Sequence, residues 1–405
     1  MKLADSLIRR AGQYIIIQLI FKLLGQSLSL LLPKQKRVIV GAMNGNWHGD
    51  NSKYIHEYIT DFHPELDMVW VTRNKKVKND LNLQGYKAVY MYSLKSFFYQ
   101  YTSEWGFYTD SLYDLFLHPL LSYRKIKLIA LRHGRSVKRV RFARKGHKIS
   151  RREKAERLLE TKLIFRAIST SEFASDMQEE CLKIGRHKHI VTGYPRNDRL
   201  FNVDTKLLSD TSSLVGSDDA TTILYAPSWR HGREVTKFFP FIDKNYKDLN
   251  SFLKARNIVL LLRPHVAELM ASTKLRVELN EITKTYSNIV LADHNLFPDV
   301  NTLLPIMDGL VSDYSALYHD FLLLDRPIGL VPYDYEDFKK KNGFLYDYFA
   351  HAPGRIIKNQ SNFYEFINEV KSGNDSFSKN RLLLKKLIHR WTDNTACSRV
   401  LEIMK

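Results

Sequence analysis

The chain has only two cysteines, Cys181 and Cys397, which excludes a disulfide framework and a cysteine-based metal centre. So few thiols fit a reducing compartment. His187 and His189 flank Lys188, but no Cys, Asp or Glu stands at ligand spacing beside them, so both read as surface residues. No acidic pair with metal-ligand spacing stands out either. A structural metal is therefore not expected, and an assisting Mg²⁺ is left open. The chain also lacks a signal-peptide cleavage pattern and any repeat at solenoid period. It does not lack length: 405 residues are too many for one compact core and suggest two domains. An apolar fraction of 44% is ordinary for a folded protein.

Acidic residues are in deficit, and the formal net charge is +19. The excess is uneven. Residues 132–166 carry fourteen Lys and Arg, opposed only by Glu153, Glu156 and Glu160. This segment begins with Arg132, Arg135, Lys138, Arg139 and Arg141, which are expected to meet a membrane or an anionic acceptor. Its only aromatics are Phe142 and Phe165, too few for base stacking, so nucleic acid is not an expected partner. Residues 4–32 are strongly apolar, and 14–32 are long enough to span a bilayer. However, Gln18, Lys22 and Gln26 recur every four residues and would form one polar stripe on a helix. That favours a helix lying in the membrane interface, with Lys34, Lys36 and Arg37 at the headgroups; a helix packed on the protein's own core is the alternative reading. Residues 1–33 are thus expected to hold the protein peripherally on the cytoplasmic face of a membrane.

Short apolar runs alternate with helical stretches along the rest of the chain. Strands are expected at 37–41, 68–72, 88–91, 106–109, 127–131, 167–170 and 189–192. A second series falls at 222–225, 258–262, 289–292, 310–312 and 328–331. Helices are expected at 52–60 and 171–184 in the first half. Apolar strands alternating with helices imply parallel sheets in an α/β protein. The polar stretch 202–219 reads as a linker, and 379–404 as a helix with Leu382, Leu383, Leu387, Ile388 and Trp391 on one face. The expected division is an N-terminal acceptor domain at 34–205, a C-terminal donor domain at 206–375 and a terminal helix at 376–405.

The chemistry concentrates where strands should end. Leu310 and Val311 lead into Ser312, Asp313, Tyr314 and Ser315, ahead of an expected helix at 316–324. A helix N-terminus at the carboxyl end of a parallel strand suits phosphate. A capped helix without a ligand accounts for the same residues. The run 257–262 ends in Arg263, Pro264 and His265. Arginine offers a forked donor for phosphate, and histidine exchanges protons near neutral pH. Trp229 and Arg230 follow another strand and could stack on a base or hold a phosphate; a core tryptophan is an equal reading. Asp299 and Asp313 either orient such donors or cap helices.

Together these segments resemble the CDP-glycerol glycerophosphotransferases, the teichoic acid primases and polymerases. The resemblance rests on Gly193-Tyr194-Pro195-Arg196-Asn197-Asp198, Tyr225-Ala226-Pro227-Ser228-Trp229-Arg230, Arg263-Pro264-His265, Asp299-Val300-Asn301-Thr302-Leu303-Leu304 and Ser312-Asp313-Tyr314-Ser315, in the family's order. Asp50-Asn51-Ser52-Lys53-Tyr54 matches more weakly. Two departures stand out. Where the family carries Trp-His-Gly-Thr-Pro, this chain has Arg132-His133-Gly134-Arg135-Ser136, and Ser315 is followed by Ala316 rather than a second serine.

The resemblance implies a GT-B-like fold of two doubly wound Rossmann-like domains facing a cleft. It implies transfer of glycerol phosphate from CDP-glycerol to a hydroxyl of a lipid-linked cell-surface polymer precursor, with release of CMP. His133 would be the general base. Arg263 and His265 would hold the pyrophosphate and steady the departing CMP. Ser312 and Ser315 would hold the glycerol phosphate or β-phosphate. Another CDP-polyol such as CDP-ribitol, or a nucleotide sugar on the same fold, is the alternative donor.

Overall fold

The computed structural model describes residues 15–117, 125–134, 137–146, 149–202, 219–230 and 236–405, apart from some side chains between 15 and 29. The expected linker and Arg135 therefore fall mostly or wholly outside the described residues.

Two parallel sheets organise the chain. The first contains β1 (Gln35–Gly41), β2 (Asp67–Thr72), β3 (Ala88–Tyr90), β4 (Ser103–Tyr108), β5 (Lys127–Ala130), β6 (Ile164–Ser169) and β7 (His189–Val191). Their spatial order is β3-β2-β1-β4-β5-β6-β7. The second contains β8 (Thr221–Tyr225), β9 (Ile258–Leu262), β10 (Ile289–Leu291), β11 (Gly309–Ser312), β12 (Ile328–Leu330) and β13 (Arg355–Ile356), ordered β10-β9-β8-β11-β12-β13. Both reverse direction between their first and fourth strands, the doubly wound arrangement that opens a crevice beyond the strands' carboxyl ends.

Alternation along each strand explains why the sheets are buried on both faces. Val38 and Val40 join a core with Ile55, Trp70, Phe107 and Ile129, whereas Ile39 joins Val69, Val71, Leu128 and Ala130 on the other face. In the second sheet Ile223, Leu260 and Val311 face one core, and Leu224, Leu261 and Leu310 face the other. Each such fully buried aliphatic side chain contributes about 1.5–3 kcal/mol. Two-sided burial is also why these strands read as continuous apolar runs.

The edge of the second sheet and the C-terminal tail differ from the sequence reading. The two-residue β13 was not expected, because two residues carry no periodic signal. The expected long terminal helix is two helices, Ser378–Ile388 and Ala396–Glu402. Tertiary hydrogen bonds break it: Arg390 N–H donates to Thr170 O, Trp391 Nε1–H donates to Val191 O, and the Asp198 carboxylate accepts the N–H groups of Ala396 and Cys397. Leu382 and Leu383 are exposed rather than buried on the expected face. The tail thus returns from the second domain to clasp the first.

The N-terminal helix Ile15–Leu31 is not a membrane span: among the described residues no helix is long and apolar enough to cross a bilayer. It lies with Gly25 buried beneath the Tyr101 ring, where a Cβ would come within 2.1 Å of the ring. Lys22 and Gln26 are half-buried, while Leu19, Ile20, Leu23, Leu24, Leu30 and Leu31 face outward. The apolar stripe is the exposed one.

Candidate active site

The strand ends of both sheets meet at one seam, and a buried charge network occupies its N-terminal side. Asp50 opens the helix Asp50–Phe62 and is buried in a left-handed backbone conformation, φ 56°. One carboxylate oxygen pairs with Nδ1 of His133, which follows β5. The other accepts Arg196 Nη1–H at 2.9 Å. Arg196 reaches across the seam with Nη2 to Asp320, 2.7 Å away on the helix Leu317–Phe321 of the second domain. Asn51 holds the backbone before the histidine, donating to Leu131 O at 3.1 Å and Arg132 O at 2.7 Å. Beside it, Tyr54 Oη–H donates to Asp299 at 2.6 Å.

The electrostatics follow from this wiring. Burial alone would raise the Asp50 carboxyl, but His133 and Arg196 override it and hold it well below the usual carboxylate range. Asp50 in turn raises the His133 pKa above its ordinary 6.5, outweighing burial and the opposing charge of Arg196. Asp50 is inside and His133 outside: their side chains are 3% and 58% exposed. With Nδ1–H on the carboxylate, Nε2 is the nitrogen left to receive a proton.

On the other side of the cleft, the His265 Nδ1 accepts the Ala267 N–H at 3.2 Å and caps the helix Val266–Ala271. An accepting Nδ1 fixes the neutral tautomer with its proton on Nε2. Burial, then Lys138, His133, Arg263 and His294, push the His265 pKa down to about 4. The Trp229 ring lies parallel to this imidazole at 5.4 Å. Arg263 donates Nη1–H to Ala292 O and Asp293 O at 2.9 and 2.7 Å, so one end of its fork braces the loop after β10. Burial lowers its pKa to about 10, against the raising effect of Asp299 and Asp293. His294, on that loop, meets Trp47 of the first domain edge-on at 5.8 Å.

Several sequence-predicted residues serve the scaffold instead. Ser312 is fully buried and its hydroxyl donates to Ala226 O at 2.7 Å, which corrects its expected phosphate role. Asp313 is also buried; it accepts the N–H groups of Ser228 and Tyr314 and pairs with Arg230 at 2.7 Å. Arg230 is locked between Asp313 and Asp334, so it does not face the cleft. Asp299 caps Asn301 and receives Tyr54. Ser315, half-buried, accepts the Leu317 N–H at 3.2 Å.

The first part of the basic segment is likewise consumed, while Lys145, Arg151, Arg152, Lys154 and Lys162 stay exposed. Arg132 is buried 3.9 Å from Glu160, Arg139 pairs with Glu180, and Arg141 pairs with Asp110, which removes these three from any lipid-facing patch. The strap they belong to docks on the second domain, with Leu345 N–H donating to Val137 O and Arg139 N–H to Gly343 O. Lys138, within that strap, is drawn into the cleft wall. Its pKa falls to about 8 through burial, then through the neighbouring Arg230 and Arg144, against the pull of Asp313. Among the described residues no three His, Cys, Asp or Glu converge on a metal position.

Sequence reasoning assigned no role to Asp50, Arg196, Asp320 or Tyr54. The first, second and fourth lay inside quoted motifs, which was the available signal. Asp320 had none.

Two Rossmann-like domains, a carboxylate-oriented histidine and a cleft lined by cations define a transferase of GT-B-like architecture acting on a phosphorylated donor. The family described as CDP-glycerol:poly(glycerophosphate) glycerophosphotransferase matches residues 25–405, and the chain belongs to it. It is 23% identical to a teichoic acid glycerol-phosphate transferase of Staphylococcus aureus over 391 residues, 94% of each protein. It is 26% identical over 368 residues to a teichoic acid poly(glycerol phosphate) polymerase of Bacillus subtilis, matching 87% of this chain but only 46% of that longer protein. A variant of the wall teichoic acid polymerase TagF, soaked with CDPG, superposes with a TM-score of 0.72 at 22% identity, covering 94% of this chain and 92% of that one.

Proposed function

We propose that the chain moves glycerol phosphate from CDP-glycerol to a hydroxyl of a lipid-linked, phosphate-rich acceptor at a membrane surface. The observation that carries this reading is the Asp50–His133 pair opening onto a cleft whose far wall presents His265, Trp229 and Arg263. In the reaction, the acceptor hydroxyl gives its proton to His133 Nε2 as its oxygen attacks the distal phosphorus. The bond from that phosphorus to the bridging oxygen breaks, and CMP leaves with the electron pair. His265, held neutral with Nε2–H, donates a hydrogen bond to the departing phosphate, and Arg263 and Lys138 supply positive charge. Trp229 offers a flat face beside that phosphate site.

The membrane part of the proposal rests on the outward row from Leu19 to Leu31 and not on the basic segment. An exposed apolar helix face suits partial insertion into the headgroup boundary. Liposome co-sedimentation of the full chain tests it. Binding to vesicles, lost when Leu19, Leu23 and Leu30 become Ser, supports the reading; a protein that stays in the supernatant refutes it. The transfer itself is tested with radiolabelled CDP-glycerol, CDP-ribitol and UDP-sugars over a membrane extract. Label from CDP-glycerol should become lipid-bound, and label from a UDP-sugar alone would overturn the donor assignment.

A further inference from the structure

The motif Gly193 to Asp198 has so far been given no part in the reaction, and it contains the most connected side chain of the seam. We propose that Arg196 is a positioning residue that makes the competence of the His133 base depend on the second domain, through Asp320. The inference rests on His133 being the base.

Three observations carry it. First, Arg196 is 5% exposed and its guanidinium bonds two buried carboxylates from different domains, Asp50 at 2.9 Å and Asp320 at 2.7 Å. Asp50 is the carboxylate that orients His133. Second, Arg196 is itself fixed through its backbone, because its N–H donates to Asn51 Oδ1 at 3.1 Å, and the same Asn51 clamps the carbonyls of Leu131 and Arg132. Third, a Cβ on Gly134 would stand 1.9 Å from Arg196 Nη2. The residue after the base lacks a side chain because the guanidinium occupies that space. Two sequence-distant motifs, His133-Gly134 and Tyr194-Pro195-Arg196, therefore interlock as one unit.

Asp320 lies on the short helix that follows Ser315, at the donor side of the cleft. A shift of that helix relative to the first domain changes the partner of Arg196, hence the hold on Asp50, hence the aim and basicity of His133. Asp320 is a group that a change in domain docking would remove from the network. The charged groups acting on His133 are Asp50, Arg196 and Asp110, with His265 facing it across the cleft.

The charges predict opposite effects for two substitutions. Asp320→Asn removes a negative charge and should lower the His133 pKa, moving the acid limb of kcat to lower pH. Arg196→Met removes a positive charge and should move the same limb to higher pH. Each shift should be about half a pH unit or more. Arg196→Lys keeps the charge but loses the planar fork whose two nitrogens meet the two carboxylates separately. Its limb should stay near that of the parent while kcat falls roughly tenfold or more through lost aim. Affinity for CDP-glycerol, measured by calorimetry, should stay within a few-fold in all three, since Arg196 and Asp320 are placed outside the donor contacts. Circular dichroism and melting identify any variant that fails to fold, and Arg196→Lys and Asp320→Asn keep the test decisive if Arg196→Met is lost.

Folded Asp320→Asn and Arg196→Lys proteins with the parent's limb and kcat would overturn the inference. His133→Ala separates the two levels. If that variant retains activity, the base assignment itself fails; if it is dead while the limb never moves, only the coupling fails.

Discussion

Replacing Asp50 by Asn removes one charge and little else. Position 50 has φ 56°, a left-handed conformation that Asn tolerates, so the backbone is not strained by the change. The side chain is 3% exposed, and its two oxygens serve His133 and Arg196 separately. In the variant, an amide can offer N–H to Nδ1 and stabilise the wrong tautomer, with Nε2 already protonated when the acceptor arrives. The expected loss in kcat is roughly a hundred- to ten-thousand-fold, the range of a general base put out of action. That corresponds to about 3–5 kcal/mol of barrier. Folding should suffer the cost of a broken buried ion pair, about 3–5 kcal/mol, moderated because Arg196 keeps Asp320.

The assay is the initial rate of CMP release at saturating CDP-glycerol, with calorimetry to confirm that donor binding survives. The pH profile adds a sign. Asp50 raises the His133 pKa above 6.5, and the neutral ring is the active form, so the parent loses rate as pH falls through that raised value. In the variant the limb should move to lower pH while the plateau drops. A folded Asp50→Asn protein turning over within threefold of the parent, with an unmoved limb, would refute the reasoning.

Other substitutions separate binding from scaffolding. Arg263→Ala should weaken CDP-glycerol binding about 10- to 100-fold, the value of a charged hydrogen bond, and unchanged calorimetric affinity would sink the assignment. Ser312→Ala should cost about 1 kcal/mol of stability through the lost bond to Ala226 while leaving kcat and donor affinity within about twofold. His265→Ala should lower kcat roughly 10- to 1,000-fold and also lower the melting temperature through loss of the helix cap; a stability loss with normal turnover would make it a cap only. Because Asp50 is held well below its unfolded pKa of about 3.9, its contribution is fully present above that value and lost as pH falls toward the folded one. The melting gap between parent and Asp50→Asn should therefore narrow below about pH 4, and it should also shrink as pH rises through the raised His133 value, where Asp50 loses its imidazolium partner.

The sequence by itself determined the architecture and the family. Twelve apolar runs were expected as strands, and each falls on one, overrunning its end by no more than one residue, because a parallel strand buried on both faces is a local pattern of contiguous apolar residues. The strand-end motifs also follow from local order, since a doubly wound sheet sends every loop after a strand to the same edge. That is why His133, Arg263, His265 and Trp229 could be placed just beyond strand ends from the sequence alone.

What the sequence could not show is which polar residues of those motifs face the cleft. Ser312, Asp313 and Arg230 sit in the same motifs as cleft residues, yet burial and internal partners commit them to the scaffold. The excess charge of residues 132–166 looked like one continuous surface patch, but Glu160, Glu180 and Asp110 neutralise Arg132, Arg139 and Arg141, and the exposed cations lie further along, at Lys145, Arg151, Arg152, Lys154 and Lys162. Likewise the N-terminal helix showed its amphipathicity in sequence, but only packing against Tyr101 decided that the leucine face points outward. Pairings such as Arg196 with Asp320, 124 residues apart, and Tyr54 with Asp299, 245 residues apart, leave no periodic trace. They exist only because two independently wound domains dock, and a buried charge must then find its partner wherever the other chain segment happens to lie.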